Sequence, residues 1–293
     1  MSTSPHVGFN PLPWFFIGDG FNRAAAPPIE EIYREIRDAG FGAVPAEVPQ
    51  GMSVDAYRQL LARVRLEPAP GYFQAPFSDS AATPSAIEAA KRVASQHAQL
   101  GLDRIFIADQ FGASPRVATP AQGVESDAGR LQTIADNLAR IATALTAEGV
   151  VPCLHQHVGT WIESPEETTT LLDTVGADVL LFGPDTGHLA WAGADPAEII
   201  GRYRQRVGAV HLKDLRRHVA QGRDYRQAGA AHLWTEPGRG DVEFASVLRE
   251  LAGFAGWYVV EVDVSDQPTP KECAAVSARW VREHIGGGAP TIA

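Results

Sequence analysis

"LFGPDTGHLAWAG" runs from Leu181 to Gly193: a short apolar run that ends in an acid and a histidine three residues apart, after which glycine stops the chain. A brief apolar segment bounded by Gly and Pro reads as a buried strand. With its flank this one spans "DVLLFG" (178–183), and seven other stretches share its character. They are "HVGFN" (6–10), "FGAVPAEV" (41–48), "LEPAPGYF" (66–73), "DRIFIAD" (103–109), "VVPCLHQH" (150–157), "VGAVHLKD" (207–214) and "GWYVVEVD" (256–263). Between them Leu131, Ile134, Leu138, Ile141 and Leu145 recur at steps of three and four, the stripe of an amphipathic helix. Weaker patterns of the same period cover 29–39, 84–100, 165–175, 197–203 and 271–284. Glycine follows several of these segments ("DAGFGA", "QLGLDR", "AEGVV"), as a left-handed helix cap requires. Eight strand–helix repeats within 293 residues predict an α/β fold of the closed (β/α)₈ kind, one domain over 1–285. The remaining "GGGAPTIA" (286–293) reads as a frayed tail.

Bulk composition narrows the partners. With 45% hydrophobic and 20% charged residues the chain has material for a sizeable core. Its 25 Lys and Arg stand against 35 Asp and Glu, a net charge of -10 that argues against nucleic acid or an anionic membrane surface as partner and in favour of small solutes. Cys153 and Cys273 cannot build a disulfide framework, which suits the cytoplasm. No basic stretch precedes the apolar residues of "MSTSPHVGFNPLPWFF", and no run reaches the 18 residues of a membrane span. Nothing in the composition excludes a homo-oligomer. One connection is oversized: "LRRHVAQGRDYRQAGAAHLWTEPGRGDVEF" (215–244) is expected either to cover a site or to move.

In a closed barrel the active site lies at the C-terminal ends of the strands. Four neighbouring strands here end in acids and imidazoles: His155 and His157 on the fifth, Asp185 and His188 on the sixth, His211, Lys213 and Asp214 on the seventh, Glu261 and Asp263 on the eighth. His155 to Asp185 spans 30 residues and Asp185 to His211 spans 26, one barrel repeat each. From His211 to Glu261 the 50 residues equal a repeat plus the long connection. Imidazoles and carboxylates converging at equal depth form a ligand set for Mn²⁺, Co²⁺, Fe²⁺ or Zn²⁺. A single strand-end histidine is more often structural than ligating, so the expectation rests on convergence. Glu261, after the apolar "WYVV", is costly there unless paired or metal-bound. Cys153 shares the inward parity a layer deeper and reads as a small core residue.

"LHQHVGTWIES", "DTGHLAWAGADP", "VHLKDLR" and "WYVVEVD" resemble, in order and spacing, the inosose dehydratase branch of the xylose-isomerase-like (sugar phosphate isomerase/epimerase) barrels. The likeness reaches back to "FNPLPW" and is looser over 45–130. It implies a divalent metal, Mn²⁺ or Co²⁺ ahead of Mg²⁺, Fe²⁺ or Zn²⁺, on Asp185, His211 and Glu261, with His155 at the strand-five position where the epimerases carry Glu. Losing that carboxylate removes the two-sided proton relay of an epimerase and favours a lyase. Glu236 and Arg239 in "TEPGRGDVEF" also depart from the dehydratases, which tend to an apolar residue and an acid there.

The implied reaction is β-elimination from a keto-polyol such as an inosose, through an enediolate. His188 and Lys213 are the first candidates for moving the protons, with His157 third and Glu261 as the available carboxylate. Lys213 could act as a base only with a depressed pKa; otherwise it anchors a substrate oxygen, or forms a salt bridge with Asp214 or Asp185. Trp14 and Glu47 are expected to line the substrate, ahead of Trp161 and Trp234, with Asp214, Arg216 and Arg217 reaching it from the rim. Competing readings are a keto-sugar isomerase or epimerase, a lyase expelling an aglycone from a 3-keto glycoside, and a non-catalytic binding subunit. The apurinic endonucleases share the barrel and a D-T-x-H strand six, but "DLRRHVAQGRD" lacks the D-x-H pair that their site needs.

Overall fold

Alternation along the strands decides how the chain closes. In the computed structural model, which describes residues 5–17 and 20–286, the eight runs become the parallel staves of an α/β barrel. Stave one (His6–Phe9) pairs with both stave two (Ala43–Pro45) and stave eight (Trp257–Val260), closing the ring. Stave four (Arg104–Asp109) pairs with stave five (Val151–Leu154), and stave five with stave six (Leu181–Phe182). Bridges at Phe182–Val207 and Asp185–His211 carry the sheet to stave seven (Ala209–Leu212), which pairs with stave eight.

The inward side chains Ala43, Ala69, Phe106, Cys153, Ala209 and Val259 form a cluster of their own, one residue from each of six staves. Their neighbours Val44, Ile105, Ile107, Leu154, Val210 and Val260 belong to the larger core shared with the helices. Cys153 is therefore an interior packing residue below the mouth, as its parity predicted, and both cysteines are free and buried.

Stave three, expected as a single strand over 66–73, is two pieces. Glu67–Ala69 pairs with stave two and Tyr72–Ala75 pairs with stave four, with the break at Pro70–Gly71. A Cβ on Gly71 would lie 2.2 Å from the Ala46 carbonyl oxygen and 2.7 Å from His97 Nε2, so only glycine allows this approach. Beyond the break Phe73 and Ala75 are buried in the outer core while Tyr72 and Gln74 are exposed.

Five outer helices lie within about a residue of the periodic segments, among them Ile29–Ala39, Thr83–Gln99 and Pro270–His284, and a sixth, Ala128–Ala147, contains the Leu131–Leu145 stripe. Two more are not among the segments predicted from periodicity. Val54–Val64 buries Tyr57, Leu60, Leu61 and Val64, but arginines dilute the stripe. Phe244–Glu250, at seven residues, is shorter than the window in which a period shows. Among the described residues no helix is long and apolar enough to cross a membrane. The proposed tail lies outside the described residues from 287 onward.

The long connection is ordered and covers the mouth. It leaves as a two-stranded antiparallel ribbon (Asp214–Leu215 with Trp234–Thr235) and carries the short helix Tyr225–Ala230.

The stave-three break yields a pH signature. Neutral His97 accepts from the Gly71 N–H at 3.1 Å and donates from Nδ1 to the Val93 carbonyl at 3.0 Å. Burial lowers its pKa from 6.5 to about 4 against the opposing pull of the Val93 carbonyl. A histidine depressed in the folded state stabilises above its unfolded pKa and loses that contribution as pH falls. Denaturant unfolding is expected to show stability falling from pH 6.5, with the His97 share, about 3 kcal/mol, gone below pH 4. A His97→Gln chain should lack that component; equal pH slopes for both chains would refute the assignment.

Candidate metal centre and proton-transfer site

Inward parity carries up each stave to the mouth, and there the packing turns polar. Above Cys153 stand His155 and then His157; above Ala209 stand His211 and Lys213; above Val259 stand Glu261 and Asp263. Phe106 forms the floor, its ring 4.0 Å from His211 and 6.0 Å from His155.

Three residues past stave six, Asp185 bridges to His211 and caps the next helix. Its Oδ1 accepts from the His188 N–H at 2.8 Å, starting Thr186–Trp191. Gly187 follows because a Cβ there would lie 2.9 Å from Lys213 Cγ and 3.0 Å from Trp234 Cζ3. The cap leaves Oδ2 over. Asp185 is fully buried, and Oδ2, His155 Nδ1 and His211 Nδ1 have no hydrogen-bond partner. One ligand atom from each of these three residues lies within 4.8 Å of the others. Unpartnered buried donors and acceptors are costly, and two imidazoles with a carboxylate at this spacing suit one divalent cation.

Glu261, the expected fourth ligand, is adjacent but engaged. Its Oε1 accepts from Lys213 Nζ at 2.9 Å and its Oε2 from Asn10 Nδ2 at 2.6 Å, with Oε2 3.3 Å from His211 Nδ1. Lys213, fully buried, also donates to Asp263 Oδ1 at 2.6 Å and lies 4.3 Å over the Trp234 ring. Burial pulls its pKa down, but Asp263, Glu261 and Asp185 outweigh burial and hold it well above the ordinary lysine value. Lys213 is therefore a cation and not a base, and its partners are Glu261 and Asp263 in place of the expected Asp214 or Asp185. Burial works to raise Glu261, yet Lys213 and His211 keep it below the usual carboxylate range; Asp263 is raised by burial.

Beside the triad, His157 and His188 lie with ring centroids 3.9 Å apart. His157 Nδ1 donates to the Val158 carbonyl at 2.7 Å, which leaves Nε2 as a free lone pair. His188 Nδ1 accepts from the Val158 N–H at 3.3 Å, which puts the proton on Nε2, an atom with no partner. Burial first, then neighbouring cations and imidazoles, holds His155 and His188 well below the ordinary value and His157 at about 3, so all three are neutral near pH 7. Tyr225, brought in by the long connection, stacks on this pair (5.6 Å from His157, 6.4 Å from His188) and on Trp191 at 5.1 Å.

The remaining site expectations change. Trp14 is 4% exposed and its indole donates to Glu35 on the first helix, so its place is core packing and not a substrate wall. Glu47 is exposed and paired with Arg23. Asp214 accepts from the Leu215, Gly238, Gly240 and Val242 N–H groups at 2.8–3.1 Å, which ties down the long connection and leaves nothing for substrate. Arg216 is held by Asp266, and Arg217 is exposed with its backbone N–H on Asp241. Trp161 lies under the Arg130 and Arg116 guanidiniums; of the four expected wall residues only Trp234 meets the imidazoles, 4.9 Å from His188. Glu236, fully buried, holds the Asp266 N–H and the Gln267 amide. Residues that the pattern reading left without a role are Asn10, Tyr72, Tyr225 and Asp263; inward parity on staves one and eight was the available signal for Asn10 and Asp263 only.

A closed parallel barrel with buried imidazoles and carboxylates at its C-terminal mouth defines a class of small-molecule sites. The model of the Xylose isomerase-like TIM barrel family matches residues 27–284, and the chain belongs to that family. An inosose dehydratase of Geobacillus thermodenitrificans is 32% identical over 159 residues, 52% of this chain and 53% of that protein, so the match spans about half of that relative. An inosose dehydratase of Geobacillus kaustophilus is 25% identical over 275 residues, covering 88% of this chain and 87% of that protein. A xylose isomerase-like barrel protein of Mycobacterium smegmatis, solved with magnesium, superposes with a TM-score of 0.71 at 18% identity, covering 97% of each chain.

Two variants separate the roles within the mouth. Asp185→Asn keeps a capping oxygen and should fold normally, yet lose about 100-fold or more in Co²⁺ affinity by calorimetric titration of chelator-treated protein, since even outer-shell changes cost about 10–100-fold. Lys213→Met leaves two buried carboxylates without their cation. Thermal unfolding of the metal-free chain should show about 3–5 kcal/mol of destabilisation; an unchanged Tm would mean that Lys213 does not carry the pair.

Proposed function

We propose that this chain is a divalent-metal-dependent carbon–oxygen lyase, a dehydratase of a keto-polyol such as an inosose. His155, Asp185 and His211 hold the ion, Mn²⁺ or Co²⁺ by preference, with the Glu261 carboxylate as the neighbouring fourth group. The observation that carries the reading is the convergence of His155, Asp185 and His211, each with an unpartnered buried polar atom, beside two imidazoles of opposite hydrogen-bonding polarity. The names of the two Geobacillus relatives agree with it. Barrel and site together are taken as one domain over 1–285.

The bound cation supplies Lewis-acid polarisation of the ketone and adjacent hydroxyl, worth several kcal/mol. His157 Nε2, an unprotonated lone pair, takes the α-proton. Now an imidazolium, the same ring gives that proton to the departing β-hydroxyl: the C–H and C–O bonds break, a C=C bond forms and water leaves. His188, whose Nε2 carries a proton, donates a hydrogen bond to a substrate oxygen. Lys213 anchors another oxygen as an ammonium. The ring polarities thus move His157 ahead of the two groups ranked first from sequence. Phe111, Trp191, Tyr225 and Trp234 enclose the imidazole pair on the apolar side, which suits the C–H faces of a cyclic polyol.

Incubating the Co²⁺-loaded protein with 2-keto-myo-inositol in D₂O is expected to produce an absorbing enone or diketone, abolished by chelator. Deuterium incorporation without that chromophore would replace the lyase with an epimerase. His157→Asn should lower kcat by about 10²–10⁴-fold with little change in KM, as loss of a positioned acid–base group does.

A further inference from the structure

Stave three puts a phenol where an unbroken strand would not. Ala69 points into the barrel, so regular alternation would aim residue 72 outward at the helices. The Pro70–Gly71 break reverses that parity, and it is built, not incidental: Gly71 lies against the Ala46 carbonyl with its N–H bonded to buried His97. Tyr72 consequently faces the mouth, its ring 5.2 Å from His155 at 82° and 6.5 Å from His211 at 19°. It stays 39% exposed on a stave whose next residue, Phe73, is buried. Among the described residues its hydroxyl makes no hydrogen bond. A phenylalanine would fill the same space, so the fold gives no use to the oxygen.

We propose that Tyr72 is a substrate-binding residue that sets specificity, its Oη hydrogen-bonding a hydroxyl of the polyol next to the oxygens facing His155, Asp185 and His211. The proposal rests on the keto-polyol reading above. Lys213 and a cation attract oxygen wherever it sits on the substrate, whereas a neutral phenol, able both to donate and to accept, suits an alcohol at one position. A site built to hydrogen-bond a hydroxyl discriminates strongly against ligands that cannot supply it.

The test is Tyr72→Phe, with equilibrium binding read apart from turnover. Both chains are titrated first with Co²⁺, by calorimetry and visible absorption, and then, Co²⁺-loaded and in a His157→Asn background that stops turnover, with 2-keto-myo-inositol; kcat and KM are read in the chains that keep His157. Co²⁺ affinity and spectrum should agree within about twofold, while the keto-polyol should bind about tenfold more weakly to Tyr72→Phe, the worth of one hydrogen bond, and KM should rise more than kcat falls. Equal keto-polyol binding, or a Co²⁺ loss matching the keto-polyol loss, overturns the assignment. Elimination product formed with unchanged KM in the variant overturns it alone. Weaker binding by the variant with no elimination by either chain upholds Tyr72 and overturns the lyase reading, and no binding to either chain overturns both.

Discussion

Asp185 has two carboxylate oxygens and no contact with water, and the mouth of the barrel is organised by the difference between them. One oxygen caps the short helix that follows stave six. The other has no partner, and it lies 3.7 Å from His211 Nδ1, which like His155 Nδ1 also lacks one. Burying such groups unsatisfied costs free energy that only an added cation or protons can recover. The same cap swings His188 toward His157 and brings Gly187 against Lys213, so the candidate ion site and the imidazole pair share one anchor.

Charge balance explains why the arrangement can be buried. Three of the site imidazoles are held neutral by burial. Lys213 is the local cation for Glu261 and Asp263 and rests on the Trp234 face. "HLKD" divides its duties by parity: His211 and Lys213 point into the mouth, while Asp214 turns away to gather four backbone N–H groups of the long connection. Gly240 is needed there, since a Cβ would lie 2.4 Å from the Asp214 carboxylate. The cover is thereby fastened next to the site that it closes.

Much of this was legible before any coordinates. Eight apolar runs and their helices imply the barrel, and spacings of one repeat bring His155, Asp185 and His211 to one rim because equivalent strand ends lie at equal depth. The places of Trp14 and Glu47 were not legible. Trp14 and Glu47 sit after the right strands, but a 3-10 turn and an ion pair with Arg23 take them elsewhere, and neither leaves a period in the sequence. Tyr72 was hidden for the converse reason: a break of one residue inverts inward and outward.

The amino-acid sequence by itself determined the barrel, the residues at its mouth and the kind of ligand atoms gathered there, because strand parity and repeat length are local, periodic properties. Only the tertiary structure decided which carboxylate is free and which is paired, which imidazole nitrogen carries the proton, and that Lys213 is a cation. Those depend on contacts between residues far apart in the chain, where a few tenths of an ångström choose the hydrogen-bond partner and no pattern along the sequence records the choice.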